Sequence, residues 1–122
     1  MPTQKQALGQ WGEQRAAEFL EGKGYAILGR NLRTPHGEID LLAERGERLI
    51  FVEVKTRTSQ RYGHPEEAVT PAKLAHMHDA AQFLIGEQPE QYANRPIQFD
   101  VIAVQRAPDQ SFAFKHYADV RA

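Results

Sequence analysis

The stretch Gly37 to Lys55, GEIDLLAERGERLIFVEVK, holds two extended segments joined by a polar turn. In Gly37-Glu38-Ile39-Asp40-Leu41-Leu42-Ala43, polar and apolar residues alternate with the period of two that a half-buried strand shows. Glu44-Arg45-Gly46-Glu47-Arg48 reads as a hairpin connection, and Leu49-Ile50-Phe51-Val52-Glu53-Val54-Lys55 as a strand rich in β-branched and aromatic residues. So short a connection makes the two strands antiparallel neighbours. Alternation puts Glu38, Asp40 and Leu42 on one face of the first strand. On the second, Phe51, Glu53 and Lys55 share a face while Ile50, Val52 and Val54 pack the other. Opposite residues of an antiparallel pair point the same way, so Asp40 is expected opposite Phe51 or Glu53, not opposite Val52. Asp40 and Glu53 then lie side by side, with Lys55 adjacent.

Two carboxylates that close repel each other unless a cation sits between them. Magnesium suits such a pair, because it prefers oxygen ligands and commonly takes one or two carboxylates plus water and substrate phosphate. Held by Asp40 and Glu53, it would polarise a scissile phosphate and acidify a water. Lys55 would stabilise charge on the phosphate oxygens or orient the attacking water.

Outward from this hairpin, the chain before it reads as a helix from about Gln6 to Gly22, ended by Gly22 and Gly24. Leu8, Gly12, Ala16, Phe19 and Leu20 fall in one apolar arc, and Gln10, Gln14, Glu18 and Glu21 in the opposite polar arc. Glu13 lies at the margin of the apolar arc, where a carboxylate needs a partner or a metal; it could complete the metal shell through water, or pair with Arg15 or Arg33. Tyr25 to Leu32 reads as a first strand. After Lys55 a polar loop, Thr56 to Val69, leads to a second helix with Thr70 as N-cap and Pro71 at its first position. That helix runs to about Ile85, burying Leu74, Met77, Ala81 and Leu84, with Lys73, His76 and Ala80 on another face. Ile97 to Val104 and Ser111 to Tyr117 complete an αβββαββ order, an α/β sandwich with a mixed central sheet. Asp100 interrupts an apolar strand and is expected to find a buried partner or to have no role.

The 122 residues fit one domain, and 41% apolar with 25% charged residues is the balance of an ordinary soluble protein. No apolar stretch approaches the ~20 residues that span a bilayer, and the first residues lack the apolar block of a secretory signal. A cytoplasmic protein with no membrane partner is expected. With no cysteine, disulfides, zinc thiolate sites and cysteine nucleophiles are excluded. The net charge of −1 decides nothing about nucleic acid. The basic residues are local: no acid stands between Arg30 and Pro35 or between Lys55 and His64, so Arg30, Arg33, Arg57, Arg61 and Lys73 are candidate phosphate contacts. His64, His76 and His78 read as surface histidines, since an i, i+2 pair on a helix diverges by ~200°. A non-catalytic nucleic-acid-binding module and a protein-interaction adaptor are the competing readings.

The conjunction of a helix acid, Asp40, and Glu53-Val54-Lys55 resembles the PD-(D/E)XK phosphodiesterase superfamily. More closely, the chain resembles the bacterial YraN-like family of endonucleases. The matching stretches are Gly9-Gln10-Trp11-Gly12-Glu13, Arg30-Asn31-Leu32-Arg33, Gly37 to Ala43, and Phe51-Val52-Glu53-Val54-Lys55-Thr56-Arg57. The resemblance implies a restriction-endonuclease-like fold and catalytic positions at Asp40, Glu53, Lys55 and Glu13. It further implies metal contacts at Asp40, Glu53 and Val54, and Mg2+ as cofactor with Mn2+ as substitute. The family is similar to archaeal Holliday-junction resolvases, which implies DNA as substrate, branched or damaged structures included, and leaves room for a homodimer. Two departures stand out: Pro35 does not immediately precede Asp40, and Gln98 stands before Phe99-Asp100 where an arginine is expected.

Overall fold

The computed structural model describes residues 1–58 and 70–121. Helix α1 spans Gln4–Gly22, strands β1, β2 and β3 span Ala26–Thr34, Gly37–Arg45 and Arg48–Arg57, and helix α2 spans Pro71–Glu87. A four-residue helix α3, Pro89–Tyr92, precedes β4, Ile97–Arg106, and β5, Phe112–Tyr117. The chain is an αβββαββ sandwich around a mixed five-stranded sheet of order β1-β2-β3-β4-β5. Only β3 and β4 run parallel. A parallel pair needs a long crossover, and α2 supplies it. The short α3, in a stretch read as a loop, is the one added element, and most strands run two residues further than alternation indicated.

Helix α2 begins where its expected cap places it, whereas α1 begins at Gln4, two residues before the expected Gln6. Thr3 and Gln6 form a reciprocal capping box on α1, and the Thr70 side chain accepts from Lys73 N with Pro71 in the first turn. Ala16, Ala17 and Leu20 of α1 pack with Leu41, Ala43, Ile50, Val52, Ile102 and Val104 on one face of the sheet. Met77, Ala80 and Ala81 of α2 pack with Leu42, Leu49 and Phe51 on the other. Ala80, expected on a separate face with Lys73 and His76, is 1% exposed and joins the buried stripe. Small residues bring α2 close to the sheet, so its buried stripe is wider than the large apolar residues alone indicate.

The β2–β3 turn is shorter than the five polar residues expected: Arg45 pairs with Arg48, leaving Gly46 and Glu47 at the tip with Gly46 at φ +61°. Arg95 clamps this tip, donating through Nε to Glu47 O at 2.8 Å and through Nη2 to Glu44 Oε2 at 2.8 Å.

Candidate active site

The register is the one that alternation requires: Leu41 pairs with Val52 and Leu42 with Phe51, so Asp40 falls opposite Glu53. The ladder stops there. Val54 is the next residue of β3 whose backbone turns toward β2, and its N–H donates to Asp40 Oδ2 at 2.8 Å. A side-chain carboxylate thus replaces a ladder bond where the two strands part.

The β1–β2 ribbon turns at the same place. Its pairing runs from Arg30↔Leu41 to Leu32↔Ile39 and skips Asn31 and Asp40, with Asn31 at φ +52°. Asn tolerates this left-handed conformation better than most residues. Beyond the kink Ile39 packs with Leu32 in the α2 layer, whereas Leu41, two residues on, packs in the α1 layer. Glu38, Asp40 and Leu42 therefore do not share one face as strict alternation had them. A two-stranded ribbon freed from its third strand twists more strongly.

Glu53 is 5% exposed, and Oε1 meets both Lys55 Nζ at 3.1 Å and Lys73 Nζ at 3.3 Å. Lys73 comes from α2, so this contact closes across the sheet-helix interface. Asp40 and Glu53 are near enough that each feels the other's charge. Burial, then the Glu53 charge, push the Asp40 carboxyl up to about 7, against the opposing pull of the Val54 N–H.

Glu13 approaches from the α1 side. Gly12 permits the approach: a Cβ there would stand 1.9 Å from Thr56 Oγ1, so no other residue fits at this helix-strand contact without movement. Glu13 has neither Arg15 nor Arg33 as partner. The Asn31 amide, oriented to donate, reaches Glu13 Oε1 and Glu38 Oε1 at 3.0 Å each. Arg15 pairs with Glu18 at 2.9 Å, and the 90%-exposed Arg33 stands 3.8 Å from Glu38. Burial raises the Glu13 pKa, Asn31 works against it, and the charges of Glu38 and Glu53 raise it further.

The structure thus gathers Asp40, Glu53, Lys55 and Lys73, with Glu13 at the margin through Asn31. Among the described residues no three His, Cys, Asp or Glu side chains form a ready-made metal cage. Arg30 leans onto Gln14 of α1 and Arg57 follows Lys55 on β3. Arg61 and His64 lie outside the described residues. His76 and His78 are exposed, as read. Asn31 and the reach of Lys73 to Glu53 had no signal in local periodicity. Asp100 does have a buried partner, His116, whose Nε2 lies 2.7 Å from Oδ2. Gln98, which stands in place of the expected arginine, donates to Asp100 Oδ1 at 2.8 Å.

The model of Uncharacterised protein family UPF0102 matches residues 12–104, from the glycine under Thr56 to within two residues of the end of β4. This chain belongs to that family. The UPF0102 protein of Symbiobacterium thermophilum is 49% identical over 105 residues, 84% of this chain and 85% of the relative. That of Syntrophomonas wolfei is 47% identical over 97 residues, 80% and 83% of the two chains. That of Thermus thermophilus is 41% identical over 108 residues, 88% and 91%. The YraN-like resemblance is met at the level of the UPF0102 family, and the names of these relatives state no activity. No helix among the described residues of this UPF0102 protein is long and apolar enough to cross a membrane.

Proposed function

We propose that this UPF0102 protein is a metal-dependent endonuclease that hydrolyses phosphodiester bonds in DNA, branched or damaged structures among them. The observation that carries the reading is the neighbouring pair Asp40 and Glu53, with two lysines on one Glu53 oxygen, at the point where β2 and β3 separate. The donor set fits magnesium, or manganese in its place. It offers two hard carboxylates whose mutual repulsion a cation would relieve, and a third oxygen is at hand. In a strand the N–H and C=O of one residue point to the same side, so the Val54 carbonyl looks into the notch that its N–H faces. Asp40, Glu53 and the Val54 carbonyl would hold the ion. When bound, it would polarise the scissile phosphate and lower the pKa of the attacking water.

The remaining chemistry belongs to the chain. Lys55 and Lys73 pin one Glu53 oxygen and present positive charge to an arriving phosphate, where preorganised donors lower the barrier. Glu13, steadied by Asn31, completes the site through water. Arg30, Arg33, Arg57 and Arg61 are phosphate contacts along the strand. A binding module without chemistry gains nothing from repulsive acids facing phosphate. The PD-(D/E)XK resemblance supports the same reading and, with it, a homodimer, which sedimentation decides.

Single-stranded, duplex, flap and four-way DNA are incubated with magnesium, with manganese and with EDTA. We expect cleavage of at least one substrate with either metal and none in EDTA. Asp40→Asn and Glu53→Gln abolish it, while Lys55→Met slows it by ~10²-fold with magnesium binding retained by calorimetry. Undiminished cleavage by Glu53→Gln would sink the proposal.

A further inference from the structure

Beyond the carboxylate notch, β3 runs on to Arg57 beside Gln105 of β4. There the β4–β5 hairpin and Thr58 enclose a groove of about 250 Å³, below the ~300 Å³ at which drug-sized pockets begin. Arg106, Pro108 and Phe112 line it, and no carboxylate does among the described residues. The carboxylate of the hairpin, Asp109, is turned onto Ser111, accepting from its N at 3.0 Å and its Oγ at 2.6 Å.

Two groups in the groove are poised for a flat, electron-rich ligand attached to negative charge. Phe112 is 45% exposed, a large apolar residue left open to water. Trp11 holds it from below, edge to face at 5.2 Å, and Phe114 supports it at 5.5 Å. The Arg106 guanidinium lies over the Trp11 ring, 5.1 Å from its centroid, and is held by the Gln110 side chain. A fixed cation beside a braced, water-exposed aromatic ring is the pairing that single-stranded nucleic-acid sites use, with bases stacked on the ring and the backbone on the cation. Arg106 and Phe112 fall outside residues 12–104, the stretch matched by the family model.

We propose that this groove holds an unpaired nucleobase of the strand whose phosphodiester lies in the Asp40–Glu53 notch. The inference rests on the endonuclease reading and narrows its substrate to DNA with a single-stranded segment beside the cleaved bond. Four residues of β3 separate Glu53 from Arg57, at least about 13 Å at ~3.3 Å per residue. The DNA strand would pass the end of the sheet, because Glu53 meets Lys73 of α2 while Trp11 and Phe114 pack in the α1 layer. At ~3.4 Å per nucleotide of a stacked strand, the held base is at least about four nucleotides from the cut.

The test is binding, measured by fluorescence anisotropy in EDTA so that nothing is cleaved. The probes are a short blunt DNA duplex and the same duplex carrying a single-stranded tail. Phe112→Leu keeps the apolar bulk that packs on Trp11 and Phe114 but removes the ring face, and Arg106→Gln removes the cation. Each is expected to weaken binding of the tailed duplex by about tenfold, the scale of one lost stacked base, and to leave the blunt duplex within about twofold. Melting curves matching the parent establish that both variants fold. Equal losses on the two probes, no loss on either, or a parent dimer that Phe112→Leu dissociates each overturn the groove assignment. A parent protein that binds neither probe also overturns the groove assignment, whereas the endonuclease reading is overturned by the cleavage assay alone.

Discussion

Asp100 on β4 and the pair Asp40–Glu53 on β2 and β3 are acids set into the same sheet, and their surroundings are opposite. Asp100 is fully buried, at 0% exposure, and surrounded by donors. Gln98 Nε2 and Asp119 N donate to Oδ1 at 2.8 and 2.9 Å, and His116 Nε2 lies 2.7 Å from Oδ2. Lys23 Nζ in turn lies 2.9 Å from His116 Nδ1. The Asp119 contact, with Val120 N donating to Phe99 O at 2.7 Å, ties the segment after β5 to the sheet. Asp40 has one backbone donor and then another acid. Burial alone therefore does not mark a site. The placement of donors differs: they close on both oxygens of Asp100, whereas at the pair both lysines sit on Glu53 Oε1, and on the proposed reading a cation would serve the face that Asp40 turns to Glu53.

The largest expected effect tests the structural side of that comparison. Asp100→Ala leaves Gln98, His116 and the Asp119 N–H without their common acceptor, and breaking a buried pair of this kind costs ~3–5 kcal/mol. Urea denaturation should show that loss, unchanged by magnesium. A variant of parental stability would mean that the network is ornamental.

Next in size is the response to metal. Magnesium at about a hundred times its dissociation constant should stabilise the parent by ~2.7 kcal/mol. Asp40→Asn should lose most of that gain, and Asp100→Asn should keep it. Thermal melts with magnesium and with EDTA separate the three proteins. Identical curves for all three in the two conditions would erase the distinction between the acids.

The smallest effect is the sharpest in sign. The Asp40 carboxyl is raised from 3.8 to about 7, so the metal-free fold favours its protonated form. The stability this contributes is fully present below the ordinary carboxylate pKa and is lost as pH rises through about 7. Asn keeps an acceptor for the Val54 N–H without the charge. In EDTA at pH 8, Asp40→Asn should therefore be more stable than the parent by ~1 kcal/mol, with the gap closing as pH falls toward 4. A gap that widens toward acid would reverse the assignment and make Asp40 a structural acid like Asp100.

How much of this could be read in the chain itself follows from which forces are local. Capping and alternation act over a few residues, so Thr70 and the β2–β3 hairpin carry their own signal, and the Leu41↔Val52 register follows from the need to bury one face. Asp40, Glu53 and Lys55 were legible for that reason, and the UPF0102 membership from the same stretches. What the residues could not carry alone was anything set by elements meeting at long range. Lys73 reaches Glu53 only because α2 crosses back over the sheet. Glu13 nears the notch only because Gly12 lets α1 settle on Thr56. His116 meets Asp100 only because β5 folds beside β4. The departure of β2 from β3 at Asp40 breaks the period of two itself, because a ribbon that loses its neighbouring strand is released to twist. Pattern is a property of neighbours in sequence, whereas charge balance in a buried site is a property of neighbours in space.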